Sequence, residues 1–344
     1  MKRTLPTLTA LLATTLVAAG CGGASDSTDG GGGAASASGG KATLDLVAYS
    51  TPQVVYDELI PAFGRTAAGR GIGFKSSYGA SGDQSRAVEA GLPADVVTFS
   101  TEPDVTRLVK DGLVAADWDR TPTKGLVTTS LVSFIVRKGN PKHIRTWADL
   151  LKPGVKVLTP NPFTSGAAKW NILAAYAQAS DGGKDPAKGL AYVKELVARH
   201  VVVQDKSGRE ALQNFVSGHG DVLLSYEYEA TTAQRKGEKV DVVTPGDTIR
   251  IEIDIAKTKK APAAAQDFID YVLSPAGQER FASWGYRPVN PAVLRANAAR
   301  FPEPRTLRTI AELGGWTTVN DTLFDPDKGS ITKIEQGAGV STSK

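Results

Sequence analysis

The sequence is poor in the residues that do covalent and metal chemistry. One cysteine, Cys21, stands in 344 residues, so no disulfide can form within the chain and the body keeps no thiol for catalysis or metal binding. The three histidines, His143, His200 and His219, are far apart and fit neither H-E-x-x-H nor a C-x-x-C partner; they read as surface or turn residues rather than zinc ligands. Charge of one sign is also lacking. Forty basic residues face 36 acidic ones, and no long basic run or aromatic–basic interleaving is present, so a nucleic-acid partner is not expected. No nucleophile with a base is found, which leaves an exported phosphate or sulfate ester hydrolase without machinery. The expectation is a non-enzyme with no cofactor and no metal. Glu227/Glu229 and Glu252/Asp254 read as polar alternation rather than acid–base pairs, Glu227 also as an acid suited to a first helical turn. Trp147, Trp170, Trp284 and Trp316 read as packing residues.

Long hydrophobic runs are missing too. The longest, Leu8–Ala19, follows Lys2 and Arg3; it is too short for a confident membrane span and right for a signal segment. It ends in Val17-Ala18-Ala19-Gly20-Cys21, which resembles the lipobox of bacterial lipoproteins, with Ala18 where leucine is commoner. That resemblance implies cleavage before Cys21 and its lipidation, with residues 1–20 as signal peptide. Losing Lys2 and Arg3 leaves the mature chain 38 basic and 36 acidic residues, a charge near +2. Residues 21–42, rich in glycine and serine, read as a flexible tether.

Beyond the tether the pattern becomes α/β. Thr43–Tyr49, Gly73–Ser77 and Ala94–Phe99 read as strands, separated by helices at Gln53–Ala67 and Ser85–Ala90 and followed by one at Asp104–Asp111. Thr128–Val136 is the longest β-rich run before Thr146–Leu151, a short helix capped by Thr146. Asp181–Lys188 reads as a polar loop, and the tail from Lys328 as polar and frayed. The segment of most interest is Thr159–Tyr176, TPNPFTSGAAKWNILAAY: the strand at Val155–Leu158, a turn punctuated by proline and asparagine, and a helix opening at Ser165. Ser165 is a natural N-cap, and small Gly166 and Ala167 leave the first N–H groups unobstructed. Such an end suits an anion.

Three further segments share the pattern. Gly79–Gln84 contains Ser81; it lacks the Gly-Lys-Ser/Thr of a phosphate loop, and Asp83 stands where a nucleophile elbow has glycine. Asp83 itself reads as a solvated early-helix acid. Gln204–Arg209 leads into a helix at Glu210–Val216, and Asp221–Ser225 leads into a helix opened by Tyr226. In open α/β sheets ligands collect beyond the carboxyl ends of strands, where helix N-termini point. Four such openings would make a neutral cage of donors for a small oxyanion.

TPNPFTSGAAKWN, VRKGNP, GDVLLSYEYEA, LSPAGQE and GGWT, in that family's order from about Thr43 to Thr322, resemble the sulfate-binding proteins of sulfate/thiosulfate ABC transporters. The resemblance implies a type II two-lobed periplasmic-binding-protein-like fold, each lobe a mainly parallel sheet flanked by helices, with the ligand in the interlobe cleft. Residues 43–128 and 247–305 would form one lobe, residues 129–246 and 306–344 the other, hinged near Thr128–Val132 and Val243–Ile251. It implies a sulfate held by uncharged donors: the Ser165 hydroxyl and backbone N–H groups of Gly166, Ala167, Ser81 and Gly208. The family's indole donor falls on Tyr226, whose phenol donates but also accepts; glycine is commoner at Ala167; and an outer arginine becomes Lys169, while Arg209 matches its counterpart. The function implied is an extracytoplasmic receptor, monomeric and lipid-anchored at Cys21 on the outer face of the cell membrane, that delivers sulfate to permease subunits. Thiosulfate, molybdate and phosphate remain alternatives.

Overall fold

The computed structural model describes residues 42–342; the signal segment, Cys21 and nearly all of the tether lie outside them. The first stretch runs β1 (Ala42–Tyr49), α1 (Gln53–Gly64), β2 (Ile72–Gly79), α2 (Ser81–Glu89), β3 (Val96–Phe99), α3 (Glu102–Lys110) and β4 (Leu126–Arg137). The middle runs α4 (Trp147–Leu150), β5 (Val157–Pro160), α5 (Gly166–Ala179), α6 (Pro186–Arg199), β6 (Val201–Asp205), α7 (Gly208–Val216), β7 (Val222–Tyr226), α8 (Glu227–Arg235) and β8 (Val240–Val243). The chain returns through β9 (Asp247–Lys257), α9 (Ala263–Leu273), α10 (Pro275–Ser283), β10 (Arg287–Pro288), α11 (Pro291–Ala296), β11 (Thr306–Arg308), α12 (Gly315–Thr322) and α13 (Ser330–Gly337).

The strands lie in the order β2-β1-β3-β9-β4-β7-β5-β6. β1 is parallel to β2 and β3, and β5 is parallel to β6 and β7, so each end of the sheet is built from strand–helix–strand crossovers. Between them β9 runs antiparallel to β3, β4 antiparallel to β7, and the two antiparallel to each other, with Thr129 opposite Glu252 and Leu131 opposite Arg250. These two long strands carry the chain from one parallel set to the other.

Local chemistry explains the helices that matter. α5 is apolar around nearly its whole circumference, from Ala168 and Trp170 to Ala177, which is the pattern of a helix inside a core. The turn before it is tied by Asn161, whose side chain accepts from the Phe163 N–H at 2.8 Å and whose carbonyl accepts from Ser165 N–H at 2.9 Å. α4 begins after Thr146, the cap that the sequence predicts, and Thr146 N–H donates to Asp149 Oδ2 at 2.7 Å.

Four sequence expectations are corrected. α2 begins at Ser81, not at Ser85, with Ala80 at the N-cap, so Ser81 is the first helical residue. α6 begins at Pro186, inside the predicted loop, because Asp185 caps it and proline suits the first helical position. The predicted frayed tail contains α13, with Ile331, Thr332 and Glu335 buried and Gln204 donating to Glu335 at 2.8 Å. His200, expected at the surface, is buried, with Nδ1 3.2 Å from the Val155 carbonyl.

Candidate functional site

Three helix N-termini converge. Ser165 stands at the N-cap of α5, yet its hydroxyl caps none of that helix's own N–H groups. Helix geometry gives the first N–H groups of α5, on Gly166, Ala167 and Ala168, no intrahelical acceptor. On α2 the N-cap Ala80 has no side chain that could accept. The Ser81 hydroxyl is committed elsewhere, donating to Asp104 Oδ2 at 2.7 Å and accepting from Ser100 N–H at 3.0 Å, so Ser81 offers its backbone rather than its side chain. On α7 the cap is Ser207, which accepts from Glu210 N–H at 3.3 Å and leaves Gly208 and Arg209 as the leading N–H groups.

Specific contacts bring these ends together. A Cβ on Gly166 would lie 2.2 Å from Ser100 Oγ, so α5 opens directly against the residue that bonds Ser81. A Cβ on Gly208 would lie 3.7 Å from Ala167 Cβ and 3.6 Å from Thr51 Cγ2, which puts α7 beside α5 and the end of β1. Thr164 Oγ1 donates to the Lys206 carbonyl at 2.7 Å, joining the two turns that lead into those helices. The Arg209 guanidinium bonds the Ser50 carbonyl and so ties α7 to the turn after β1.

Tyr226 closes the group from the end of β7. It is fully buried, with its ring 5.2 Å from that of Tyr228 and 6.5 Å from that of Tyr49. Its hydroxyl has no hydrogen-bond partner; Ser100 lies beside it without a bond of ordinary geometry. Burial pushes this phenol well above its usual range, so it is a neutral donor at any physiological pH. The structure thus gathers Ser81, Ser165, Gly166, Ala167, Gly208 and Tyr226 into one region.

The charged residues beside these helix ends are partnered. Lys169 donates to Asn320 Oδ1 at 3.0 Å and sits 5.2 Å from the centre of the Phe324 ring. Asp83 is bound by Arg86 and lies 3.1 Å from Lys206 Nζ, in the first turn of α2 as expected and engaged with cations rather than turned toward Ser81. Ser165, Gly166 and Lys169 line a cavity of about 30 Å³, the scale of a small ion or a water molecule.

Sequence reasoning missed three residues here: Ser100, Thr51 and Glu229. Ser100 could have been found, because Ser100-Thr101 follows β3 as Ser165 follows β5, and Pro103 marks a helix start before Asp104. Glu229, read as part of a polar alternation, is instead buried, and its Oε2 is bonded by the Ser225 hydroxyl. Burial raises its carboxyl to about 8, with Arg209 opposing the shift. Its neighbour Glu227 is half-buried and paired with Arg287, and Asp254 is buried on β9; neither belongs to a solvated alternation. Among the described residues no three histidine, cysteine, aspartate or glutamate side chains are placed to hold a metal.

Residues 44–287 match the bacterial extracellular solute-binding protein family. The chain is 37% identical over 342 residues to the sulfate-binding protein of Synechococcus elongatus, covering 94% of this chain and 93% of that one. It is 36% identical to the thiosulfate-binding protein of Pseudomonas aeruginosa, over 81% of this chain and 88% of the relative. Among solved structures it superposes on the sulfate-binding protein SubI of Mycobacterium tuberculosis with a TM-score of 0.81 and 49% identity, covering 83% of this chain and all of that one. A match over most of its length, shared by these relatives, makes this chain a bacterial extracellular solute-binding protein of the sulfate-binding family, with the periplasmic-binding-protein fold.

Proposed function

We propose that this protein is the sulfate receptor of an ABC uptake system. The observation that carries the reading is the meeting of the α2, α5 and α7 N-termini around Gly166, beside a buried Tyr226 hydroxyl with no protein partner. Backbone N–H groups at helix ends, a serine hydroxyl and a phenol form a donor-rich site, with Arg86, Arg107 and Lys169 at the wall of the same cavity, which suits an anion that only accepts hydrogen bonds. The names of the sulfate-binding relatives support the same ligand. In this reading Ser165 and Tyr226 supply side-chain donors, Ser81, Gly166, Ala167 and Gly208 supply backbone donors, and Lys169 and Arg209 act from outside.

Residues 43–128 with 247–305 and residues 129–246 with 306–344 are the two lobes of the proposal, hinged where β4 and β9 pair. Closure of the lobes would present the loaded receptor, a monomer, to its permease subunits. A signal peptide over residues 1–20 and a lipid on Cys21 would hold it outside the cell membrane. Thiosulfate is the second reading, favoured by an identity to thiosulfate-binding relatives nearly equal to that with sulfate-binding ones. Calorimetry with sulfate, thiosulfate and molybdate tests the assignment. Sulfate is expected to bind tightest; absence of heat with all three would overturn the receptor reading.

A further inference from the structure

We infer that the Glu229 carboxyl forms part of the wall of the anion site and takes up a proton as a doubly charged oxyanion binds. The inference rests on the oxyanion-receptor reading and adds to it a pH dependence. Its geometry comes from α7 and α8. Glu229 Oε1 lies 3.6 Å from the place a Cβ on Gly208 would occupy, at the same corner as Thr51 and Ala167. The carboxyl is thus in van der Waals reach of the residue whose N–H leads α7. On its other side it lines a cavity of about 420 Å³ together with Thr51 and Arg209, which gives a proton a route to solvent.

The groups around the carboxyl leave it the one that titrates near neutrality. Ser225 on β7 bonds its Oε2, and Tyr49 on β1, Tyr226 and Tyr228 at the start of α8, and Tyr286 after α10 surround it; burial keeps all four phenols neutral well beyond pH 10. Arg209 on α7 supplies positive charge, but it is bonded to the Ser50 carbonyl and acts on Asp57 of α1 as well. Asp57, Lys236 and Glu238 stand along the wall of the cavity, with Lys236 also acting on Asp57. Burial outweighs Arg209 and places the Glu229 titration at about 8.

The sign follows from charge. Below that value the carboxyl is neutral and leaves the donor cage intact. Above it, a negative charge faces the incoming dianion, and binding must first restore the proton. Affinity should therefore be flat from pH 6 to 7 and fall about tenfold between pH 7 and 9, as the protonated fraction falls. Sulfate itself does not titrate in this range, so any proton taken up goes to the protein.

The test is titration calorimetry of the full-length mature protein with sodium sulfate at pH 6.0 and 8.5, each in two buffers of different ionisation enthalpy. The expected result is uptake of more than half a proton at pH 8.5 and almost none at pH 6.0. Glu229→Gln should bind sulfate with the same affinity at both pH values and without uptake. Ser225→Ala, which removes a donor to the ionised carboxyl, should move the fall in affinity to higher pH. Glu335, a second carboxyl raised to about 7, lies on α13 and accepts from Gln204, and Glu335→Gln should leave the uptake at pH 8.5 unchanged. Tight sulfate binding with no proton uptake in the parent, or equal uptake in Glu229→Gln, overturns this inference while leaving the receptor standing. No sulfate binding even at pH 6.0 would remove the receptor reading and this inference with it.

Discussion

At the scale of single residues, Ser165 and Tyr226 supply the side-chain donors and respond differently to substitution. The Ser165 hydroxyl does not cap its own helix, so Ser165→Ala removes little from the stability of α5 and acts on the ligand. Loss of one hydrogen bond to a charged group weakens binding by about 1.5–3 kcal/mol. Calorimetry should show a sulfate affinity lower by ten- to a hundredfold but not abolished, and an unchanged dissociation constant would exclude Ser165. Tyr226 presents a buried hydroxyl with no protein partner, a group that is costly to leave unsatisfied. Tyr226→Phe should therefore raise the thermal midpoint without ligand, or leave it unchanged, and weaken sulfate binding. Tyr226→Trp should retain much of the affinity through the indole N–H. A phenylalanine variant that binds as tightly as the parent would take the phenol out of the site.

Among elements, the opening of α5 was legible because its signals are local: an N-cap serine, small residues behind it and an apolar run at helical spacing. The openings of α2 and α6 were displaced in the sequence reading because Gly82 and Pro186 resemble turn residues when met alone. In the structure Gly82 lies within α2, and Pro186 follows a capping aspartate. α13 was missed for a different reason: its few apolar residues gain burial only by folding back near α6, a contact between positions more than a hundred residues apart. The close approaches of helices at the site yield a paired prediction. Gly166→Ala would push a methyl to 2.2 Å from Ser100 Oγ and 3.0 Å from Thr101 Cγ2, and rotation of Ser100 relieves only the first contact. Gly208→Ala meets nothing nearer than 3.6 Å and keeps its N–H. Sulfate affinity should fall at least tenfold in the first variant and change no more than a few-fold in the second; equal losses would mean that α5 and α3 do not need this approach.

For the whole molecule the question is which anion the assembled cage accepts. Sulfate near neutral pH only accepts hydrogen bonds, whereas phosphate still carries a proton that needs an acceptor. Asp83, an acceptor that the sequence offered, is held by Arg86 and Lys206, and the Asp104 carboxylate is engaged by Ser81, Thr101 and Arg107. An unpaired donor facing backbone N–H groups costs about 1–3 kcal/mol. In competition calorimetry at pH 7, phosphate should therefore bind more than tenfold weaker than sulfate, a gap above about 1.4 kcal/mol. Competition within tenfold would mean that an acceptor, such as the Tyr226 oxygen, faces the ligand. The sequence by itself determined the α/β class and the opening of α5, because caps, turns and composition act over a few residues. Only the tertiary structure decided that Ser100 and Thr51 stand among the helix openings, that Ser81 spends its hydroxyl on Asp104, and that Glu229 is buried. Each of these depends on strands distant in sequence lying side by side, and desolvation is a property of the surrounding fold that no local pattern carries.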